Sequence, residues 1–450
     1  MILSRSAGLL AICLLIVGPA GPVVGQPEPE YIVEGSSRVR FENLDGQFRQ
    51  GLVGSDQVLA MRTLVQGNAN FGRWTATGEL QDSRAYLDDA GSAVSTSLVN
   101  SMEIIQASVT YHSKTNRQGL FAQWQAKLGR FTLDIGSRRF TERNGYRNTI
   151  NTHSGVHWIG EFDGGAQMHA FYVAPDDRKP SGRTDLIDNR ILLDNASDTR
   201  RFWGVHYERP AIYEDIQLDV FVYGLNETDG EQPTLDRSVF APGFRLLRSP
   251  HSGEWDFEIE TAIRRGQQSI STAAESDTVD VRAAMLHAQI GYTFASAWNH
   301  RLSLEFNLAT GDDAQTSQYE RYDRFYGTRR GDLGNTSIHG PITRSNASIM
   351  GIRYRFTRGR TDGRIVVQNA LLESATDQWI TARHQDASGG SGREIGQTLD
   401  FRVRHWLKTD RLRFEVGGSA LLFGEFVKSV SGGPEGARTL YGYSQIELFF

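Results

Sequence analysis

Thr398-Leu-Asp-Phe-Arg-Val-Arg-His-Trp406 alternates apolar and polar residues, with Leu399, Phe401 and Val403 on one side and Asp400, Arg402 and Arg404 on the other. Successive side chains of a strand point to opposite faces, so the stretch predicts a strand with one greasy and one charged face. The same pattern recurs in both directions along the chain. Arg411–Val416 sets Leu412, Phe414 and Val416 against Arg411, Arg413 and Glu415. Ser348–Thr357 sets Met350, Ile352, Tyr354 and Phe356 against Arg353 and Arg355. Arg301–Ala309 opposes four apolar residues to Arg301, Glu305 and Asn307, and Glu254–Arg264 opposes Trp255, Phe257, Ile259 and Ile263 to four carboxylates. Apolar spacing of the i, i+3, i+4, i+7 kind is nearly absent, which excludes a helical fold.

Period two suits both a soluble sandwich and a membrane barrel. Three features favour the barrel. The runs approach the ~9–11 residues a tilted strand needs to cross a bilayer. Their apolar faces often end in aromatics, among them Tyr111, Trp124, Tyr172, Trp203, Tyr207, Tyr223, Trp255 and Trp406, as an interfacial girdle requires. Short turns such as Arg358–Thr361 alternate with long polar loops at Pro175–Thr199, Gln268–Asp280, Gly311–Arg344 and Ser374–Glu394. The chain ends Tyr443-Ser-Gln-Ile-Glu-Leu-Phe-Phe450, an amphipathic strand closing on an aromatic. That ending resembles the signal by which barrel-assembly machinery recognises outer-membrane proteins, and Phe450 is the expected contact. Single-chain barrels favour even strand numbers, so eighteen strands are expected, at about 24 residues per strand and connection.

At the N-terminus, Arg5 precedes the apolar run Ala7–Val17, and small or slim residues follow at Val23-Val24-Gly25. This is the layout of a secretory signal peptide over 1–25, leaving a short segment at 26–35 and a barrel over 36–450. The single cysteine, Cys13, falls inside the leader, so the exported chain is thiol-free, as suits an oxidising compartment. The formal net charge is -5, and the 48 basic side chains divide into 43 arginines and 5 lysines. Such an excess points to bidentate partners for carboxylates, in the wall or in a ligand. A mean hydropathy of -0.41 fits a wide barrel, half of whose strand positions face water.

In a barrel the polar face lines the lumen. Arg38, Arg40, Arg353, Arg355, Arg402, Arg404 and Arg413 are therefore expected to point inward, together with the carboxylates Glu79, Glu305 and Asp400. Arginine rings are a usual device for passing anions, though each can equally pair with a neighbouring carboxylate and stiffen the wall. Catalytic motifs are missing: no Gly-x-Ser-x-Gly elbow, no His-Glu-x-x-His and no phosphate loop. No enzyme activity, cofactor or metal site is expected, and His153 and His157 read as loop or surface residues. Export and net negative charge argue against a nucleic-acid partner.

Tyr322-Asp-Arg-Phe-Tyr-Gly-Thr-Arg-Arg-Gly-Asp-Leu-Gly-Asn335, followed by Gly340-Pro341 and Arg344-Ser345-Asn346, resembles a recurring segment of the alginate export family of outer-membrane porins. Its notable positions are Tyr322, Gly327, Arg329, Arg330, Asp332 and Gly334. Glu79–Arg84 and Phe162-Asp163-Gly164 are similar to further family stretches, with Arg138 and Arg147 standing where the family carries arginines. The resemblance implies a monomeric eighteen-stranded barrel in the outer membrane of a Gram-negative bacterium, bathed in lipid and lipopolysaccharide. Its Arg-lined pore, with Arg138 placed in the wall, would pass anionic, uronate-type saccharides or small carboxylates. The competing expectation is a non-transporting barrel, an adhesin or scaffold whose lumen is closed by salt bridges and the 311–344 loop.

Overall fold

The structure is a computed structural model describing residues 29–89, 91–115, 119–230, 233–273 and 275–450; the expected leader lies outside these. The strands are β1 (Glu30–Asp45), β2 (Ser55–Phe71), β3 (Trp74–Tyr86), β4 (Asn100–His112), β5 (Gln123–Phe131), β6 (His153–Glu161), β7 (Gln167–Asp177), the two-residue β8 (Asn195–Ala196), β9 (Arg200–Tyr213) and β10 (Ile216–Glu227). They continue as β11 (Ser238–Arg248), β12 (Trp255–Ser269), β13 (Thr278–Thr293), β14 (Arg301–Ala309), β15 (Ala347–Arg358), β16 (Thr361–Leu371), β17 (Glu394–Lys408), β18 (Leu412–Phe423) and β19 (Arg438–Phe449). Apart from β8, which pairs only with the end of β7, each strand pairs antiparallel with its chain neighbours. The first strand also pairs with the last, Ser36 opposite Phe449 through Asp45 opposite Leu440. Eighteen strands thus form a closed antiparallel barrel with no free edge, which a bilayer requires because it offers no water to unpaired backbone groups. Strand β1 begins at Glu30, inside the segment read as preceding the barrel: its pairing with β2 starts at Glu30 opposite Asn70.

Alternation sets which residues face outward. Leu399 and Phe401 on β17, Met350 and Ile352 on β15, and Leu302 and Leu304 on β14 are exposed, while Asp400, Arg353 and Ser303 on the opposite face of the same strands are buried. A ring of contacting aromatics marks the short-turn end: Trp74 against Tyr111, Tyr111 against Trp124, Trp255 against Tyr292, Trp298 against Phe356, and Trp406 against Phe449. Tyr223, expected in such a girdle, instead points inward and is buried.

The lumen is partly filled, with buried apolar clusters against several sectors of the wall. Two connections that begin and end on the long-loop rim fold back into the barrel: residues 132–152, between β5 and β6, and residues 310–346, between β14 and β15. Phe131, Leu133, Ile135 and Phe140 pack with inward Phe171, Phe202, Phe221 and Tyr223 of the wall and with Tyr322 of the second segment. The described helices are single turns in connections, α1 (Arg183–Ile187), α2 (Arg330–Leu333) and α3 (Glu425–Ser429).

Candidate functional site

Why 132–152 leaves the strand pattern is local. Gly136 and Arg138 adopt left-handed backbone angles, φ 55° and 67°, two within three residues, which breaks the extended run. Arg138 therefore lies on the inserted segment and not in the wall, and its side chain is exposed. The next residue, Arg139, turns the opposite way and is buried among three carboxylates, 2.5 Å from Glu258, 2.5 Å from Glu260 and 2.9 Å from Asp332. Asp332 belongs to the second segment and also pairs with Arg344. Arg139 thus ties wall and both segments together. Gly327 sits against the Arg139 carbonyl with no room for a Cβ, so glycine is required where the segments cross.

The remaining expected residues fall into three groups. Arg38 and Arg40 hold the first segment by its backbone: Arg38 donates to the carbonyl of Arg147 at 2.9 Å, and Arg40 donates to the carbonyl of Tyr146 at 2.9 Å while pairing with Glu42. A second group is paired within the lumen. Arg353 pairs with Glu305, Arg402 and Arg404 share Asp362, Arg413 pairs with Glu447, and Glu79 pairs with Arg143 of the first segment. Asp400 accepts hydrogen bonds from the Asn335 amide at 2.8 Å and the Ser419 hydroxyl at 2.5 Å, beside Gly334. Arg355 alone is exposed on the strand, opposite Arg301 and Arg364, with no ion pair among the described residues. Of the loop positions, Tyr322 is buried and Arg330 reaches Glu415 at 3.0 Å while lying over the Tyr146 ring.

Two cavities lie against the inserted segments among the described residues. One of about 390 Å³, on the short-turn side, is lined by six arginines, Arg38, Arg138, Arg143, Arg330, Arg404 and Arg413, against four carboxylates, Asp134, Glu142, Glu415 and Glu447. The other, about 230 Å³ on the long-loop side, is lined by Asn151, Asp176, Asp177, Arg178 and Arg200. The first inserted segment separates them, its residues 142–146 facing one and 151–152 the other. Arg178 of the smaller cavity stands in a group with Arg147, Arg324 and Arg329, all half-buried and none in an ion pair among the described residues. Arg147 and Arg178 both donate to the side-chain oxygen of Asn151. Burial, then the charges of Arg178, Arg324 and Arg329, hold the Arg147 guanidinium below the ordinary arginine range. Burial likewise raises the Glu142 carboxyl nearby. Sequence alternation does not reveal Arg139, Arg178 or Arg324, because they sit on segments without periodicity; their one signal is local arginine density.

A family model described as alginate export matches residues 31–438. The chain belongs to the alginate export family. Its barrel is similar to that of Pseudomonas aeruginosa OccK2 (OpdF), with a TM-score of 0.58 at 14% identity, covering 93% of this chain and 97% of that one. OccK9 (OpdG) of the same organism gives a TM-score of 0.59 at 14% identity, over 94% and 98%. OccK2 (OpdF) in complex with glucuronate also matches, at 0.55 and 14% identity over 93% and 98%. No curated protein matches the sequence. This alginate-export barrel is an outer-membrane channel of a Gram-negative bacterium, and the fold suits a monomer surrounded by lipid and lipopolysaccharide.

Proposed function

We propose that the channel passes anionic, uronate-type saccharides or small carboxylates through an arginine-lined pore running between the two cavities. The observation that carries this reading is the group Arg147, Arg178, Arg324 and Arg329, four mutually close guanidiniums without carboxylate partners among the described residues, gathered around the first inserted segment. Like charges held together in a half-buried site build a positive potential that a carboxylate-bearing sugar relieves as it enters, replacing part of its lost hydration. Arg355 and the surplus of arginine over carboxylate in the larger cavity extend that potential toward the short-turn side. Binding of glucuronate by a structural neighbour is a property of that neighbour and agrees with the same chemistry.

The competing reading, a barrel without transport, draws on the apolar packing and ion pairs by which the inserted segments fill part of the lumen. Planar-bilayer recording under a salt gradient separates the two. Anion selectivity with concentration-dependent block by oligouronates is expected; cation selectivity would overturn the pore reading, and no conductance from folded protein would establish the closed barrel.

A further inference from the structure

Four neighbouring strands carry imidazoles and carboxylates toward one point of the inner wall. His157 on β6 lies 3.1 Å from His169 on β7, and His169 stands directly opposite His206 on β9. His157, expected in a loop or at the surface, is buried, as is His206. Beyond His206 come Glu208 on the same strand and Asp219 opposite it on β10. One ligand atom from each of His206, Glu208 and Asp219 lies within 4.8 Å of the others.

The Nε2 atom of His206 is buried, with the residue only 2% exposed, yet has no hydrogen-bond partner among the described residues. It faces Asp219 Oδ2 at 3.6 Å, too far for a hydrogen bond. Two donors each about 2.1 Å from one metal ion at a tetrahedral angle lie about 3.4 Å apart, close to this spacing. Both ligands are held in place by their other atoms. His206 Nδ1 is 3.0 Å from the Tyr223 hydroxyl, and Gln217 donates to Asp219 Oδ1 at 2.8 Å, leaving Oδ2 turned toward the imidazole. Such outer partners orient a ligating histidine and its carboxylate. Arg245 approaches Asp219 Oδ2 at 3.4 Å, but it is pinned by Glu258 at 2.8 Å and cannot satisfy Nε2, since both are donors when Nε2 is protonated.

We infer that His206, Glu208 and Asp219 form a site for a divalent transition-metal ion of the Zn²⁺ class. An imidazole ligand favours such ions over Mg²⁺ or Ca²⁺, and two carboxylates neutralise the charge. A fourth position stays open for water on the lumen side, where Glu208 is half-buried. The site lies beneath the first inserted segment, whose Gly136 presses on the His206 ring with no space for a Cβ. A bound ion therefore fixes the ring on which that segment rests. The inference stands apart from the identity of the cargo.

Titration of the folded, detergent-solubilised barrel with Zn²⁺ by calorimetry, and with Co²⁺ by visible absorption, tests this. One ion per chain and a visible Co²⁺ band are expected. His206→Gln should weaken binding at least tenfold, whereas His251→Gln should not. The latter removes the histidine of an exposed group with Asp215 and Glu254, whose carboxylates are taken by Arg248. If His206→Gln does not fold, judged by heat-modifiable gel mobility, Asp219→Asn and Glu208→Gln carry the same expectation. No ion bound by the parent protein, unchanged binding in these variants, or loss that follows His251→Gln overturns the site.

Discussion

Two arginines of the first inserted segment show how differently one side-chain type is used here. Arg139 is fully engaged, its fork shared among Glu258, Glu260 and Asp332. Removing one partner of a buried ion group leaves the rest uncompensated, which costs about 3–5 kcal/mol. Arg139→Ala should lower the urea midpoint of the folded barrel accordingly; a shift of under about 1 kcal/mol would mean the carboxylates find other partners. Arg147 is the opposite case, with its side chain bonded only to Asn151 among the described residues and surrounded by like charge. Arg147→Glu should leave the urea midpoint nearly unchanged and move the reversal potential toward cation selectivity. An unmoved reversal potential would place the selective constriction elsewhere.

At the scale of elements, the inserted segments matter more than the strands. Segment 132–152 is held by its backbone, through Arg38, Arg40 and Arg62, the last donating to the Gly145 carbonyl at 2.7 Å. Segment 310–346 is held on the first by Gly327 and Asp332. Gly327→Val drives a branched side chain into the Arg139 carbonyl and should undock the second segment. Single-channel conductance should then rise while heat-modifiable mobility and strand content stay unchanged; parental conductance would show that the second segment does not narrow the pore. Strands, by contrast, were legible almost entirely. Thr398–Trp406 and Ser348–Thr357 fall within β17 and β15 with their apolar residues outward, because the two faces of a strand meet different solvents and the pattern is covalently written. Arg138 was misplaced for the reason that Gly136 and Arg138 itself take left-handed angles, which interrupt a run that otherwise resembles a strand end.

The whole molecule is an inverted globule, with apolar residues outward and charge within, except where the segments build an apolar core inside it. Leu399, exposed near the middle of β17, faces hydrocarbon. Leu399→Arg should destabilise the barrel in phospholipid by about 2–4 kcal/mol, measured by reversible urea unfolding. The same change in a polar detergent-free rim position should cost far less, so equal costs would contradict the bilayer placement. Closure by β1 and β19 removes the sheet edge, and the backbone of Phe450 continues that pairing to Gly35. Class, strand number, membrane and family are all readable from the order of residues, since alternation, turn spacing and the Tyr322–Asn335 stretch are local properties of the chain. Which arginines are neutralised is not. Arg353 and Arg355 are two positions apart on one face, yet one pairs with Glu305 on the adjacent strand and the other stands opposite two arginines with no ion pair among the described residues. That distinction, the return of two connections into the lumen and the meeting of His206 with Asp219 arise from contacts between residues distant in sequence. Charge pairing and close packing depend on which atoms lie within a few ångströms, and only closing the barrel brings them there.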